Sequence, residues 1–202
     1  MKTLTSIELY VVAGGWVLFF LVFLTRPRGL RRSWIASDRR SLAGMILQVA
    51  ALAIVRGSLR TPGTGFVGAG LGVEIAAAAI AGALIASSLW LVYAAVRTLG
   101  RQWSLTARLI EGHELITSGP YALVRHPIYT AMLGMLLGSA IAVSRWQDLV
   151  AATAVFALGT ALRVRVEERL LTAEFGDAYR LYASSVPALI PRLSAGKPLA
   201  AS

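Results

Sequence analysis

The chain has 202 residues, of which 56% are hydrophobic and 15% charged, with a formal net charge of +10; an ordinary soluble domain is about 25% charged. This composition excludes a soluble globule, a disordered chain and a fibrous repeat, and the absence of cysteine excludes disulfide staples, thiolate metal sites and a cysteine nucleophile. Two histidines, His113 and His126, are too few for a convincing metal centre, and the basic residues, 18 of 20 being arginine, fall between apolar runs and not along one face, which argues against a nucleic-acid partner.

Five uncharged runs follow in order: Leu9 to Thr25, Ser41 to Val55, Ile75 to Val96, Ile128 to Ser144 and Leu149 to Leu162. They predict an all-α integral membrane protein of about five transmembrane helices, since a bilayer presents about 30 Å of hydrocarbon. The second and fifth runs reach only about 20 Å at the helical rise, so flanking arginines such as Arg40 and Arg56 snorkel or neighbours shelter these helices. Only Lys2 precedes the first run and Thr25-Arg26-Pro27-Arg28 follows it without a small-residue cleavage site, so it is expected to be a retained span. Gly63-Thr64-Gly65-Phe66-Val67-Gly68 fits G-x-G-x-x-G, yet no strand precedes it, and it reads as a flexible turn. Gly134 with Gly138, and Ala78, Gly82 and Ala86, are expected to mark helix–helix contacts.

Five crossings place 16 Lys and Arg on one side and 4 on the other. The bias predicts an external N-terminus and a cytoplasmic C-terminal tail; a minimal chain with two histidines and no targeting signal suits a prokaryotic plasma membrane. The third connection, Arg97 to Pro127, is 31 residues long and rich in polar and turn-forming types, long for a mere linker. The fifth run continues without a break signal through Arg163-Val164-Arg165-Val166-Glu167-Glu168-Arg169 and turns at Phe175-Gly176-Asp177. Two crossings separate these segments, so both return to one face. There the loop before helix 4 and the polar extension of helix 5 are expected to form a pocket. Pro127 suits the first helical position, leaving backbone N–H groups beside Arg125 and His126. Arg163 and Glu167, four apart, share a helix face. Trp103, Tyr129, Trp146, Tyr179 and Tyr182 are expected to be interface anchors.

Leu99-Gly100-x-x-Trp103-Ser104, Gly112-His113-x-Leu115, Ser118-Gly119-Pro120-Tyr121, Arg125-His126-Pro127-x-Tyr129, Glu167-Glu168-x-x-Leu171 and Phe175-Gly176-x-x-Tyr179-x-x-Tyr182, closed by Val186-Pro187 and Ile190-Pro191, together resemble the isoprenylcysteine carboxyl methyltransferase family. The resemblance covers Leu99 to Leu193 and divides the chain into N-terminal helices (1–98), a methyltransferase-like region (99–193) and a disordered tail (194–202). It implies an enzyme that binds S-adenosylmethionine at the membrane rim and methylates a lipid-linked or prenylated acceptor. By resemblance the cofactor contacts are His113, Glu114, Leu115, Ile116, Tyr121, His126 and Glu167, with Arg125 beside them. Arg163 would face the acceptor carboxylate, with Arg165 as its competitor; no metal is called for. The alternatives are N-methylation of a phospholipid amine, which needs a base such as Glu167, Glu168 or His126, and a non-catalytic or reductase-like membrane protein of similar architecture.

Overall fold

Each apolar run forms a helix, because a backbone surrounded by hydrocarbon must satisfy its own polar groups. The computed structural model describes residues 2–25, 34–57, 70–100, 108–110 and 114–192. Helix α1 spans Lys2–Val22, α2 Ser41–Gly57, α3 Leu71–Leu99, α4 Pro127–Val143, α5 Trp146–Phe175 and α6 Asp177–Ser185. Three helices, α1 (Ile7 onward), α3 and α5, are long and apolar enough to cross a membrane, and α2 and α4 are shorter apolar helices of 17 residues each. Large apolar side chains such as Tyr10, Leu18, Phe20, Ile46, Ile80, Trp90 and Val150 point outward, far more apolar surface than a water-soluble monomer exposes. The Gly63–Gly68 turn, His113, Trp103 and the tail 194–202 lie outside the described residues.

Helix boundaries follow local chemistry. Pro127 opens α4, where its missing N–H costs nothing. The polar stretch after Leu162 does continue α5 without interruption, so the helix is 30 residues long, about 45 Å at 1.5 Å per residue. It ends where Gly176 takes φ 53°, a conformation only glycine adopts readily, and the chain reverses into α6.

Helices α3 and α4 meet through glycine. A Cβ on Gly138 would lie 3.0 Å from the Ala81 carbonyl oxygen, and one on Gly134 would collide with Ser88. The expected strip on α3 is displaced: Ala78 and Ala86 are exposed and Gly82 has open space beside it. The face that meets α4 is Ala81, Ile85 and Ser88, one or two positions away around the helix; residue size alone did not fix the rotation. Helices α2 and α5 come closer still, since a Cβ on Gly159 would lie 2.6 Å from the Gly44 carbonyl oxygen. Helix α1 packs on the α3–α4 pair through Phe19, which joins Ile85, Val92, Val96, Ala131 and Met135. Trp16 Nε1 donates to Ser139 Oγ at 3.0 Å. A second core joins Ala51, Val55, Leu136, Ala140, Ala152 and Phe156.

The all-α expectation needs one correction. Strand β1 (Trp34–Ser37) pairs antiparallel with β2 (Arg108–Ile110), with an irregularity between Trp34 and Ala36. The pair unites the first and third connections at one end of the bundle. At the other end Ser144 Oγ donates to the Val55 carbonyl at 3.3 Å, joining the ends of α4 and α2. Helices α1, α2, α3, α4 and α5 therefore alternate in direction, and the arginine-rich connections share an end with the polar extension of α5.

Candidate functional site

At that end, residues from four elements meet around two adjacent carboxylates of α5. Glu168 Oε1 accepts from Arg125 Nε at 2.9 Å and from Arg125 Nη2 at 2.7 Å, and lies 3.2 Å from His126 Nε2. Glu167 Oε2 lies 3.4 Å from His126 Nδ1. Its Oε1 accepts from the Tyr129 hydroxyl and sits 3.9 Å from Arg163 Nη2. Both ring nitrogens of His126 thus face carboxylates, the arrangement that suits an imidazolium. Burial opposes the charged ring, but the two carboxylates prevail and hold its pKa above the ordinary value. The ring stacks on Tyr129 at 5.7 Å, and the Arg163 guanidinium lies 5.0 Å above the same tyrosine, a geometry with its own cation–π attraction.

Arg163 is 5% exposed, and its Nη1 donates to Gln48 Oε1 at 3.2 Å; Gln48 Nε2 in turn donates to Thr160 Oγ1 at 2.9 Å. Gln48 and Thr160 are each 1% exposed. A buried amide is costly unless its donor and acceptor are satisfied, and both are satisfied here. The Gly44–Gly159 crossing makes this possible: without side chains there, α2 comes near enough to deliver Gln48 to Arg163.

The segment after α6 closes the site. Arg125 Nη1 donates to the Ala183 carbonyl at 2.8 Å and also to that of Val186. The backbone N–H groups of Arg125 and His126 donate to the carbonyls of Pro187 at 2.9 Å and Ala188 at 3.0 Å. Thr130 Oγ1 reaches the Leu189 carbonyl at 2.7 Å. Residues 183–189 therefore strap the loop that presents Arg125 and His126. Tyr182 donates to the Tyr121 carbonyl at 2.6 Å, tying the short 3-10 turn Gly119–Ala122 to α6. Burial raises the Tyr121 and Tyr179 hydroxyls, and pushes Tyr182 up to about 12, so all three are uncharged at neutral pH.

The expected residues His126, Glu167 and Arg163 thus form a chain of contacts, Arg125 is linked to it through Glu168, and Tyr121 is tied to α6 through Tyr182. Glu114, Leu115 and Ile116 form an irregular segment leading into the Tyr121 turn, the first exposed and the others half-buried. Arg165, the rival of Arg163, is exposed. Two tyrosines expected as interface anchors are not: Tyr129 and Tyr179 are buried in and beside the cluster. Trp146 is exposed on its helix. Sequence reasoning missed Gln48, whose signal was a lone amide in an apolar run, and underweighted Glu168, which gathers more of the cluster than Glu167. Among the described residues no three His, Cys, Asp or Glu side chains group as metal ligands.

The profile of the phospholipid methyltransferase family matches residues 76–178, a stretch that contains every charged member of the cluster. The chain is 40% identical over 104 residues to the cobalt-zinc-cadmium resistance protein CzcN of Cupriavidus metallidurans, covering 48% of this chain and 45% of that one. It is 34% identical over 79 residues to the protein-S-isoprenylcysteine O-methyltransferase of Schizosaccharomyces pombe, covering 39% and 34% of the two chains. With protein-S-isoprenylcysteine O-methyltransferase B of Arabidopsis thaliana the identity is 32% over 99 residues, covering 48% and 50%. The matched region spans about half the length or less of these curated relatives.

Proposed function

Because the chain belongs to the phospholipid methyltransferase family, we propose that it transfers a methyl group from S-adenosylmethionine to a lipid-linked carboxylate at the arginine-rich, cytoplasmic end of a five-span bundle. The observation that carries this reading is a buried guanidinium inside the cluster: Arg163, 5% exposed, sits beside Glu167 and Tyr129, while Arg125 engages Glu168. A buried cation favours an anionic guest. Arg163, held beside Glu167 by Gln48 and Tyr129, is the cation for that guest. The isoprenylcysteine O-methyltransferases among its relatives support the same acceptor class.

The residues suit the donor. Glu167 and Glu168 keep 23% and 27% side-chain exposure despite their partners, so carboxylate surface remains for a cationic amino-acid ligand. Glu114 to Ile116, Tyr121, His126 and Glu167 would hold it, with His113 upstream. The donor supplies a methyl group on a sulfonium; a carboxylate acceptor is already nucleophilic and needs no base. The work left to this chain is alignment and exclusion of water. Arg163 orients the acceptor, Gln48 and Tyr129 orient Arg163, and Arg125, with four of its five N–H groups engaged, positions the loop.

Transfer of labelled methyl to a prenylcysteine analogue and to a lipid extract, followed by alkali, tests the reading. Label released as methanol supports the ester; alkali-stable label in an amine headgroup overturns it in favour of N-methylation. Glu167→Ala and His126→Ala are expected to abolish binding of S-adenosylmethionine in calorimetric titration. Arg163→Ala is expected to raise the acceptor KM far more than it changes cofactor affinity.

A further inference from the structure

The outer face of α5 carries a charged feature that the cluster does not use. Arg165, Glu168, Arg169, Thr172 and Ala173 of α5 and Arg180 of α6 line an open groove of about 510 Å³. Arg165 and Arg169 lie one turn apart, are exposed, and form no ion pair among the described residues. Arg180 pairs with Asp177 at 2.6 Å. Glu168, the carboxylate in the lining, is already engaged by Arg125 and His126, so the groove is strongly positive.

Depth identifies what such a groove meets. Arg165 lies 19 residues after Trp146, the start of α5, about 29 Å along the axis and level with the far edge of a hydrocarbon layer about 30 Å thick. Arg169 stands about 6 Å further out, among headgroups. Next to Arg180 in α6, Leu181 is 63% exposed. A short helix that exposes both a large apolar side chain and a guanidinium suits a position in the membrane interface. Guanidinium binds phosphate through paired N–H donors, and two guanidinium groups a turn apart can share one phosphate.

We propose that this groove binds the phosphodiester headgroup of an anionic phospholipid in the adjoining leaflet. The site goes beyond methyl transfer: Arg165 and Arg169 take part in none of the cluster's hydrogen bonds, and only Glu168 borders both groove and cluster. The test is native mass spectrometry of the full chain in neutral detergent, titrated with phosphatidylglycerol and with phosphatidylcholine. Phosphatidylglycerol is expected to bind preferentially, and R165Q/R169Q to weaken it about thirtyfold, the effect of two interfacial arginines. R165K/R169K is expected to recover part of the affinity. R39Q/R40Q, an exposed pair at the same end but outside the groove, is expected to change nothing; an equal loss there would mean bulk charge and overturn the site. An unchanged R165Q/R169Q variant overturns it too, as does displacement of the lipid by inorganic phosphate at equal concentration. Both pairs are surface residues whose removal leaves the thermal midpoint in place, which a melting curve checks.

Discussion

The bundle contains two glycine-mediated helix crossings that differ in what lies beside them. At α3–α4, Gly134 and Gly138 let the backbones approach over an apolar seam with Ser88 as a polar member. At α2–α5, Gly44 and Gly159 do the same, but the seam continues into Gln48, Thr160 and Arg163. The first crossing asks only for close packing. The second also fixes a guanidinium. Close approach therefore serves packing alone at one seam and also fixes a buried guanidinium at the other, and a perturbation should reveal which is which.

The largest contrast is expected from adding one methyl group to each seam. Gly159→Ala puts a Cβ 2.6 Å from a backbone oxygen that cannot step aside, and should cost about 3 kcal/mol. Gly138→Ala meets its nearest atoms at 3.0 Å and should cost about 1 kcal/mol; thermal unfolding of both variants in micelles measures the difference, and equal losses would erase the distinction. Glu168→Gln leaves Arg125 and His126 without their shared carboxylate and should cost about 2 kcal/mol, read by the same assay and by faster proteolysis near residues 183–189. Gln48→Leu keeps the α2–α5 packing but removes the acceptor for Arg163 Nη1, at about 1 kcal/mol. Its acceptor KM should rise with cofactor affinity unchanged, and Gln48→Glu should restore part of the loss.

The smallest effect is pH dependence. His126 faces Glu167 and Glu168 from α5, carboxylates shared with Arg163, Tyr129 and Arg125. Its folded pKa is raised above the unfolded value of about 6.5. The linked stability is therefore fully present below that unfolded value and is lost as pH rises through the folded one. A melting temperature that falls across this window in the native protein and stays level in His126→Gln is the expected result; parallel curves would remove His126 as the titrating group.

Much of the site's frame was legible in the sequence because local rules govern it. Proline starts α4, an unbroken polar extension prolongs α5, glycine ends it, and Arg163 and Glu167 meet by helical spacing. What escaped depends on pairing between distant segments. Nothing local in Trp34–Ser37 or Arg108–Ile110 announces that they pair across the bundle end. Gln48 was hidden because an apolar run is read by its average, and the rotation of α3 was missed because several faces carry small residues. Tyr129 and Tyr179 look like interface aromatics until the carboxylates and the segment after α6 enclose them.

The strap at residues 183–189 also sets an order of assembly. Chains fold as they leave the ribosome, earlier segments first. Arg125 and His126 emerge first, Glu167 and Glu168 some forty residues later, and the carbonyls that complete the loop only after α6. The apolar helices can therefore be in the bilayer while the charged cluster is still open. Insertion and site maturation are separable events, and an interruption of synthesis before residue 183 should yield an embedded bundle with an unfinished site.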